Sequence, residues 1–558
     1  MTRRGRMTDS TRKEGVKDKL VRRGIGRLLA SPGFFGRRAN AIIVRLAKAR
    51  TLRRRASRMR EIRQALAQRR PSIRPTRPVL IWNASAHKSD FSFFAMTTFV
   101  VSAGLELAGE RVHNLVCSAG LSHCNIMLDN EHFLHPPCAA CRATSECLFA
   151  AEETDYYEPN ARNASVRASL VALSVDDLAR VEYAGLPIGQ MSLPSVRWAM
   201  RRHSLPDTRE VRLLMAHFVA SGCELADFLG DYLPQWAPKC VVAFNGTFLP
   251  EQVLSAMCLR LGIRFVSFEV GFRKKNSVFF ATGTATDVPM EIPEDYELNE
   301  AEREQLDQYL RGRFKGDFHV GGRRFWTDMQ GIPGSLRERM QAYRQVVTVF
   351  TNVVFDTSQV TVNTIYESMF DWLDDTIRIA AAHKDTLFIV RIHPEEARLT
   401  RPSMEPVEVW MRARMLHLHS NITIIPAKEE VSSYDLMDSS AFCVVYNSTV
   451  GVEAILRQRP VLSGAASKYS QQGFTHLPAS RADYALMFED FLRNGAPRVA
   501  TEWIQRARRY FHFLVFRYSL DLSSLIGPAP LGAGGYILKD FSMSALAPGG
   551  TPELDIIV

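Results

Sequence analysis

Two α/β domains in series, facing a cleft and preceded by a basic arm, are the architecture this sequence predicts. Three observations carry that reading. At 558 residues the chain exceeds what one ordinary hydrophobic core holds. From Pro78 onward, short β-branched runs alternate with helix-length apolar patterns, the signature of parallel sheets covered by helices on both faces. The charge is also segregated: residues 1–77 contain 25 Lys/Arg and four Asp/Glu, leaving 45 and 55 for the remainder.

The arm is thus strongly basic and the body acidic, although the whole chain carries a formal charge of +11. Residues 1–77 mix arginines with irregularly spaced apolar residues, broken at Pro32 and Gly33. They read either as basic amphipathic helices at an anionic membrane surface or as a partly helical or disordered solvated arm. A nucleic-acid partner is not expected, because such proteins more often spread positive charge over the folded surface, interleaved with aromatics. No run of eighteen apolar residues is present, so no membrane-spanning helix is expected. The N-terminus also lacks the compact apolar core of a signal peptide, so export is not expected and a cytoplasmic location is the expectation.

Residues 78–290 form the first expected domain. "PVLIWNASAH" reads as a strand followed by small polar residues, and "KCVVAFNGTFLPEQVLSAMCLRLGIRFVSFEVGF" as strand, polar turn, helix and strand. Residues 291–345 are charged and punctuated by Pro and Gly, and read as a connector with a surface helix. Residues 346–500 repeat the α/β pattern in "QVVTVFTNVVF", "TLFIVRIHP", "NITIIP" and "AFCVVYN". Residues 501–526 read as a terminal amphipathic helix, and 527–558, with "GPAPLGAGG" and "APGG", as a flexible tail.

Chemistry concentrates at the ends of the second domain's strands. Ligands of open α/β sheets bind beyond the carboxyl ends of strands, where helix starts present unpaired N–H groups to phosphate. Asn447, Ser448 and Thr449 follow "FCVVY" at such a junction. They can cap the helix or donate to phosphate oxygens. Glu453, set among Val452, Ala454 and Ile455, is a costly residue inside an apolar helix unless it reaches a partner or a cleft, where a ribose diol would suit it. In "FIVRIHPEE", Pro394 fixes the turn and projects His393 from a strand end, placed to donate to a phosphate or assist its departure.

The order His393-Pro394, then Ser432-Ser433 in "VSSYDLM", Asn447-Ser448-Thr449, Gly451-Val452-Glu453-Ala454, and the loop carrying Gly464, Lys468, Tyr469, Gly473, Phe474 and Thr475 resembles bacterial capsule polysaccharide glycosyltransferases of the Kdo-transferase type. It is also similar to polysialyltransferases and to teichoic-acid polyol-phosphate transferases. The spacing from Gly464 to Tyr469 and the pair Gln471-Gln472 depart from the family pattern. The resemblance implies a GT-B type fold of two Rossmann-like domains and transfer of a sugar from a nucleotide-activated donor, with a CMP-linked donor one option. The acceptor is implied to be a polysaccharide or a lipid-linked glycan. His393 would be catalytic, with Arg391, Lys468 and Tyr469 joining the donor site. On the acceptor side stand Asn245, Gly246 and His87, with Glu269 the candidate base or else a salt-bridge partner of Arg273 or Lys274. No metal or other cofactor is implied for the transfer. A polyol-phosphate polymerase, or a non-catalytic assembly protein on the same fold, would use the same pattern.

Cysteine usage raises one further question. Cys117, Cys124, Cys138, Cys141 and Cys147 lie within 31 residues, with His123, His132 and His135 among them. Cys124, Cys138, Cys141 and Cys147 could hold a structural Zn²⁺ tetrahedrally, or remain free thiols, or act in redox chemistry.

Overall fold

The computed structural model describes residues 53–69, 75–84, 91–125, 136–158, 168–273, 276–286, 290–316, 319–320, 323–324, 330–357, 362–398, 402–529 and 535–557. His87, His132, His135, Lys274 and the first 52 residues of the arm lie outside them.

In the first domain, strands β1 (Val79–Asn83), β2 (Val112–Cys117), β3 (Thr154–Tyr157), β4 (Cys240–Phe244) and β5 (Arg264–Val270) run parallel in the order β3-β2-β1-β4-β5. Strand β6 (Ser277–Thr282) joins β5 antiparallel. All five residues of β1 are buried, as a parallel strand covered on both faces requires. The helix Phe93–Leu107 follows β1, started by Ser92, whose side chain accepts from the Ala95 N–H. The helix Arg209–Trp236 is long and apolar enough to cross a membrane, a length the sequence reading did not anticipate. It lies in the core of this domain, burying Val211, Met215, Val219, Leu225, Leu229 and Leu233.

A short hairpin, β7 (His319–Val320) and β8 (Arg323–Arg324), leads into the second sheet. Here β9 (Gln345–Phe350), β10 (Thr386–Arg391), β11 (Ile422–Ile425), β12 (Phe442–Val445) and β13 (Val461–Ser463) are all parallel, in the order β11-β10-β9-β12-β13. The two domains therefore share one winding, in which the strand order reverses beside the first strand. That reversal leaves a crevice at the carboxyl ends of β1 and β4 in one domain and of β9 and β12 in the other. Phe350 is level with both Arg391 and Val445, so the loops carrying His393, Thr351 and Asn447 leave the sheet in one row. The fold is the GT-B type.

Three expected boundaries move. The arm does not stop at residue 77: residues 53–69 form a helix that buries Met59, Ile62 and Leu66, spaced as one helical face, in the first domain. The connector is part of the second domain. Its helix Glu300–Arg313, started by a capping box between Asn299 and Glu302, packs Leu306 and Leu310 beside Val452, Ile455 and Phe511. The tail is not loop. The helix Thr501–His512 and the π-helical turn after it hand the chain back to the first domain, where β14 (Leu520–Asp521) pairs antiparallel with β6. The hairpin β15 (Ile526–Pro528) and β16 (Tyr536–Leu538) and the helix Pro552–Ile557 then bury Leu538, Leu546 and Leu554 against Phe93 and Phe99. Pro548 and Gly549 mark a turn between the short elements, and Leu538, Leu546 and Leu554 supply the packing.

Candidate active site

The second domain places its predicted residues in two roles. His393 follows β10, with its main-chain N–H donating to Thr351 Oγ1 at 3.1 Å. Its Nδ1 accepts from the Glu395 N–H at 3.2 Å, so the neutral ring carries its proton on Nε2. Pro394 is buried beneath it while the ring is half-buried. Across the reversal point, Asn447, Ser448 and Thr449 are also half-buried after β12. Thr449 occupies the N-cap of the helix Val450–Leu456 without using its side chain to cap it. Ser448 Oγ accepts from the Val450 N–H at 3.3 Å. The helix has only seven residues, so its dipole is short, and hydroxyl donors carry more of any phosphate contact than the sequence implied.

Behind this row stand residues that hold it rather than face a ligand. Arg391, 1% exposed, donates from Nη1 to the Pro426 carbonyl and from Nη2 to the Glu429 carbonyl, both at 2.8 Å. It ties down the loop after β11 and is not aimed at a phosphate. Ser432 caps the helix Ser433–Ser439 by accepting from the Asp435 N–H, which places Ser433 in its first turn. Tyr469, buried and stacked on Phe474, donates to the Ser448 carbonyl at 2.6 Å. Gly451 makes room for that contact, since a Cβ there would lie 2.4 Å from the Tyr469 hydroxyl oxygen.

Glu453 also has a different position from the one expected. It is 2% exposed; Oε1 accepts from Arg313 Nη2 at 2.8 Å and Oε2 from the Tyr434 hydroxyl at 2.5 Å. Both oxygens are engaged inside the protein, so the carboxylate anchors the helix Glu300–Arg313 rather than clamping a ribose. Burial disfavours ionisation of both neighbours; for Arg313 the Glu453 charge and its hydrogen bond overturn that and hold the guanidinium charged, whereas for Tyr434 the Glu453 charge adds to it and keeps the phenol neutral.

On the facing domain, β4 is followed by Asn245 and Gly246, both in the left-handed region with φ of 57° and 88°. Asn tolerates that conformation because its side chain bonds locally, and here Oδ1 accepts from the Thr247 N–H at 3.0 Å. A Cβ on Gly246 would lie 3.0 Å from Thr284 Cα. Asn245 Nδ2 then donates to Glu269 Oε2 at 2.7 Å, while Glu269 Oε1 accepts from the Val270 N–H at 2.8 Å. Glu269 retains some exposed surface, but its carboxyl is enclosed, and burial pushes its pKa up to about 7. The Asn245 and Val270 hydrogen bonds oppose the rise; Asp356 of the other domain adds to it and Lys468 opposes it. The expected salt bridge to Arg273 is not formed; Arg273 lies over the Phe516 ring.

Lys468 reaches from the second domain to donate to the Ala285 carbonyl at 2.5 Å, with its ammonium over the Phe279 ring. It therefore bridges the cleft. The domains also meet where Trp198 packs edge-on against Phe355 and where Glu405 Oε2 accepts from the His203 and Ser204 N–H groups.

Sequence reasoning missed Asp356, Thr351, Arg313 and Tyr434. For the first two a signal was present: both follow the first strand of their domain, whose carboxyl end always borders the reversal point. Nothing local marks Arg313 or Tyr434 as partners of a glutamate so far along the chain.

The cysteines regroup. Cys117, Cys124, Cys138 and Cys141 line a cavity of about 20 Å³ at the carboxyl end of β1, with Asn83, Leu121 and Pro137. Cys147 does not join them: six residues beyond Cys141 on one helix, it turns to another face, near Arg55, Arg60 and Arg63. Burial pushes the Cys117 thiol up to about 11 and that of Cys141 to about 12. Among the described residues, no group of three or more His, Cys, Asp or Glu is set to hold a metal ion.

Residues 325–482 match the family described as capsule polysaccharide biosynthesis protein. Protein FixF of Sinorhizobium fredii (strain NBRC 101917 / NGR234) is a relative, 25% identical over 343 residues that span 59% of this chain and 72% of that protein. Among solved structures, the chain is similar to the beta Kdo 2,4 transferase of Thermosulfurimonas dismutans KpsC, with 14% identity, 55% of this chain and 86% of that one covered, and a TM-score of 0.33. It is also similar to UDP-GlcNAc 2-epimerase from Neisseria meningitidis, with 11% identity, 78% and 98% covered, and a TM-score of 0.24. The site therefore sits in a two-domain α/β protein of which residues 325–482 match the capsule polysaccharide biosynthesis family.

Proposed function

We propose that this protein is a glycosyltransferase of surface-polysaccharide assembly, moving a sugar from a nucleotide-activated donor to a growing glycan. The observation that carries the reading is the pairing of two reversal points across one cleft. One presents His393 with its proton on Nε2 after β10 and, on the other side of β9, Ser448 and Thr449 after β12. The other presents Glu269, held by Asn245, with a carboxyl that titrates at about 7.

In this reading the nucleotide phosphate lies against His393 Nε2 and the hydroxyls of Ser448 and Thr449. These donors meet the charge that develops as the phosphate departs, an electrostatic role that needs no reorganisation at the moment of reaction. Lys468 adds positive charge on the same side. Glu269, its pKa raised by burial to about 7, accepts the proton of the incoming acceptor hydroxyl when ionised, and Asn245 fixes the orientation of its carboxylate. The basic arm places the protein peripherally on the anionic inner face of the cell membrane, near a lipid-linked acceptor.

The test is thermal stabilisation of the full chain by CMP, CDP, UDP and GDP in turn. A nucleotide at 100 times its dissociation constant adds roughly 2.7 kcal/mol to the folded state. One nucleotide is expected to raise the melting temperature and thereby name the donor class; a cooperatively melting protein that responds to none overturns the proposal.

A further inference from the structure

We propose that the space between the arm helix of residues 53–69 and the helix Phe93–Leu107 is a second binding site, outside the cleft, for a short uncharged saccharide. It gives the growing glycan a hold away from its reacting end, and in that respect it rests on the glycosyltransferase reading.

The cavity there measures about 310 Å³, at the lower end of the range that small-molecule sites occupy. Two helices frame it with matching faces. The arm helix contributes Arg60, Arg63, Gln64 and Ala67, and the helix Phe93–Leu107 contributes Phe99, Ser102, Ala103 and Glu106. Both sets follow the spacing of one helical face, so the two helices look at each other across the gap. Small side chains at Ala67, Ser102 and Ala103 leave it open. The segment from Leu148 to Glu153 forms the third wall, tied to the arm helix by Arg63, which donates from Nη1 to the Phe149 carbonyl at 2.7 Å.

The floor calls for a ligand that hydrogen-bonds. Asn114 lies inside β2, and alternation along the strand sets its side chain on the face of Val112 and Val116, which pack with Val101, Leu105 and Phe99 of the helix Phe93–Leu107. It is 2% exposed, and its Oδ1 accepts from Asn83 Nδ2 at 3.4 Å, while its own Nδ2 makes no hydrogen bond among the described residues. Ser102, 4% exposed, likewise bonds nothing through its hydroxyl among the described residues. Two polar groups buried on adjacent elements and left unpaired over one cavity are costly unless something enters to meet them.

The lining selects the occupant. An acyl chain would leave Asn114 and Ser102 unpaired. A phosphate or a nucleotide would find Arg60 and Arg63 but would also face the carboxylates of Glu106, Glu152 and Glu153. An uncharged saccharide suits the whole surface. Each of its hydroxyls both donates and accepts, which matches amide, hydroxyl, guanidinium and carboxylate alike, and its C–H faces suit Leu66, Phe99 and Leu148.

The position sets the role. Residues 148–153 lead into the amino end of β3, whereas the cleft lies at the carboxyl ends of β1 and β4. A sugar seated here is therefore not the one that reacts, and the site holds glycan already made.

The experiment is saturation-transfer NMR on the full chain with the methyl glycosides of glucose, galactose, mannose, rhamnose and N-acetylglucosamine, and with glycerol 3-phosphate and octanoate as competitors of other chemistry. Two variants report on the site: Ser102→Ala removes the hydroxyl and keeps a good helix former, and Ala67→Trp fills the mouth from an exposed position. At least one glycoside is expected to bind, with affinity about three- to tenfold lower in Ser102→Ala and lost in Ala67→Trp. Hydrogen exchange over 60–67 and 99–106 should slow when that glycoside is present. No glycoside bound, or binding unchanged in both variants, overturns the proposal. So does displacement of the sugar by glycerol 3-phosphate or octanoate, which would make the cavity a lipid site. Nucleotide stabilisation should be unchanged in both variants, which keeps failure here separate from failure of the donor-site reading.

Discussion

Arg313 Nη2 lies 2.8 Å from Glu453 Oε1 in the interior of the second domain, joining the helix Glu300–Arg313 to the helix that follows the Asn447-Ser448-Thr449 turn. Each side chain is nearly inaccessible to solvent. Removing one member of such a pair strands the other charge, at a cost of about 3–5 kcal/mol. Glu453→Gln and Arg313→Met should each lower the unfolding free energy from a urea titration by that order, and Arg313→Met with Glu453→Leu should cost less than either alone. Equal losses in all three proteins would remove the pair from its structural role.

Gly451 and Tyr469 are expected to couple. Gly451→Ala should destabilise by about 1–3 kcal/mol, because its Cβ meets the tyrosine hydroxyl that holds the Ser448 carbonyl. Tyr469→Phe removes that oxygen, so the double variant should be more stable than the sum of the single losses. Additive losses in a double-mutant cycle would contradict the contact.

Glu269 sets a pH dependence in two observables with opposite signs. Its carboxyl is raised in the folded state to about 7 from 4.5, so the native protein holds a proton that the unfolded chain has released. Its contribution to stability is thus present below pH 4.5 and is lost as pH rises toward 7 and above. Activity should instead rise through the same range as the base ionises. Glu269→Gln should abolish transfer and flatten this part of the stability profile. A wild-type rate independent of pH across that window would exclude Glu269 as the base.

The folded tail gives a further prediction. Leu554 and Leu546 are buried at 1% exposure against the helix Phe93–Leu107. Leu554→Ala should cost about 2–5 kcal/mol in a denaturant titration. A change below a few tenths of a kcal/mol would mean the C-terminal helix adds nothing to the domain.

Much of the architecture was legible because parallel strands buried on both faces read as unbroken β-branched runs, as in "VLIWN" and "FCVV". The elements that sequence misread are short or amphipathic. The segment 536–557 spreads its apolar residues over one short strand and two short helices, too few per element to give a period. In the site, the turn bearing Ser448 and the histidine after β10 could be read because strand order alone places them. The roles of Arg391 and Glu453 could not. A charged residue near a crevice looks the same in sequence whether it turns outward to a ligand or inward to a carbonyl or guanidinium, and only the partners, distant in sequence, decide. Among the cysteines, helical phase, which sequence spacing alone does not show, brings Cys138 and Cys141 to one cavity and turns Cys147 away.

The decisive measurement is calorimetric titration of the preferred nucleotide into wild type, His393→Ala and Glu269→Gln, with donor turnover followed in the same samples. A donor site at the β10 and β12 strand ends requires that His393→Ala lose affinity, and that Glu269→Gln bind the nucleotide normally while failing to transfer the sugar. Full affinity and full turnover in both variants would contradict a reaction centred between these two residues.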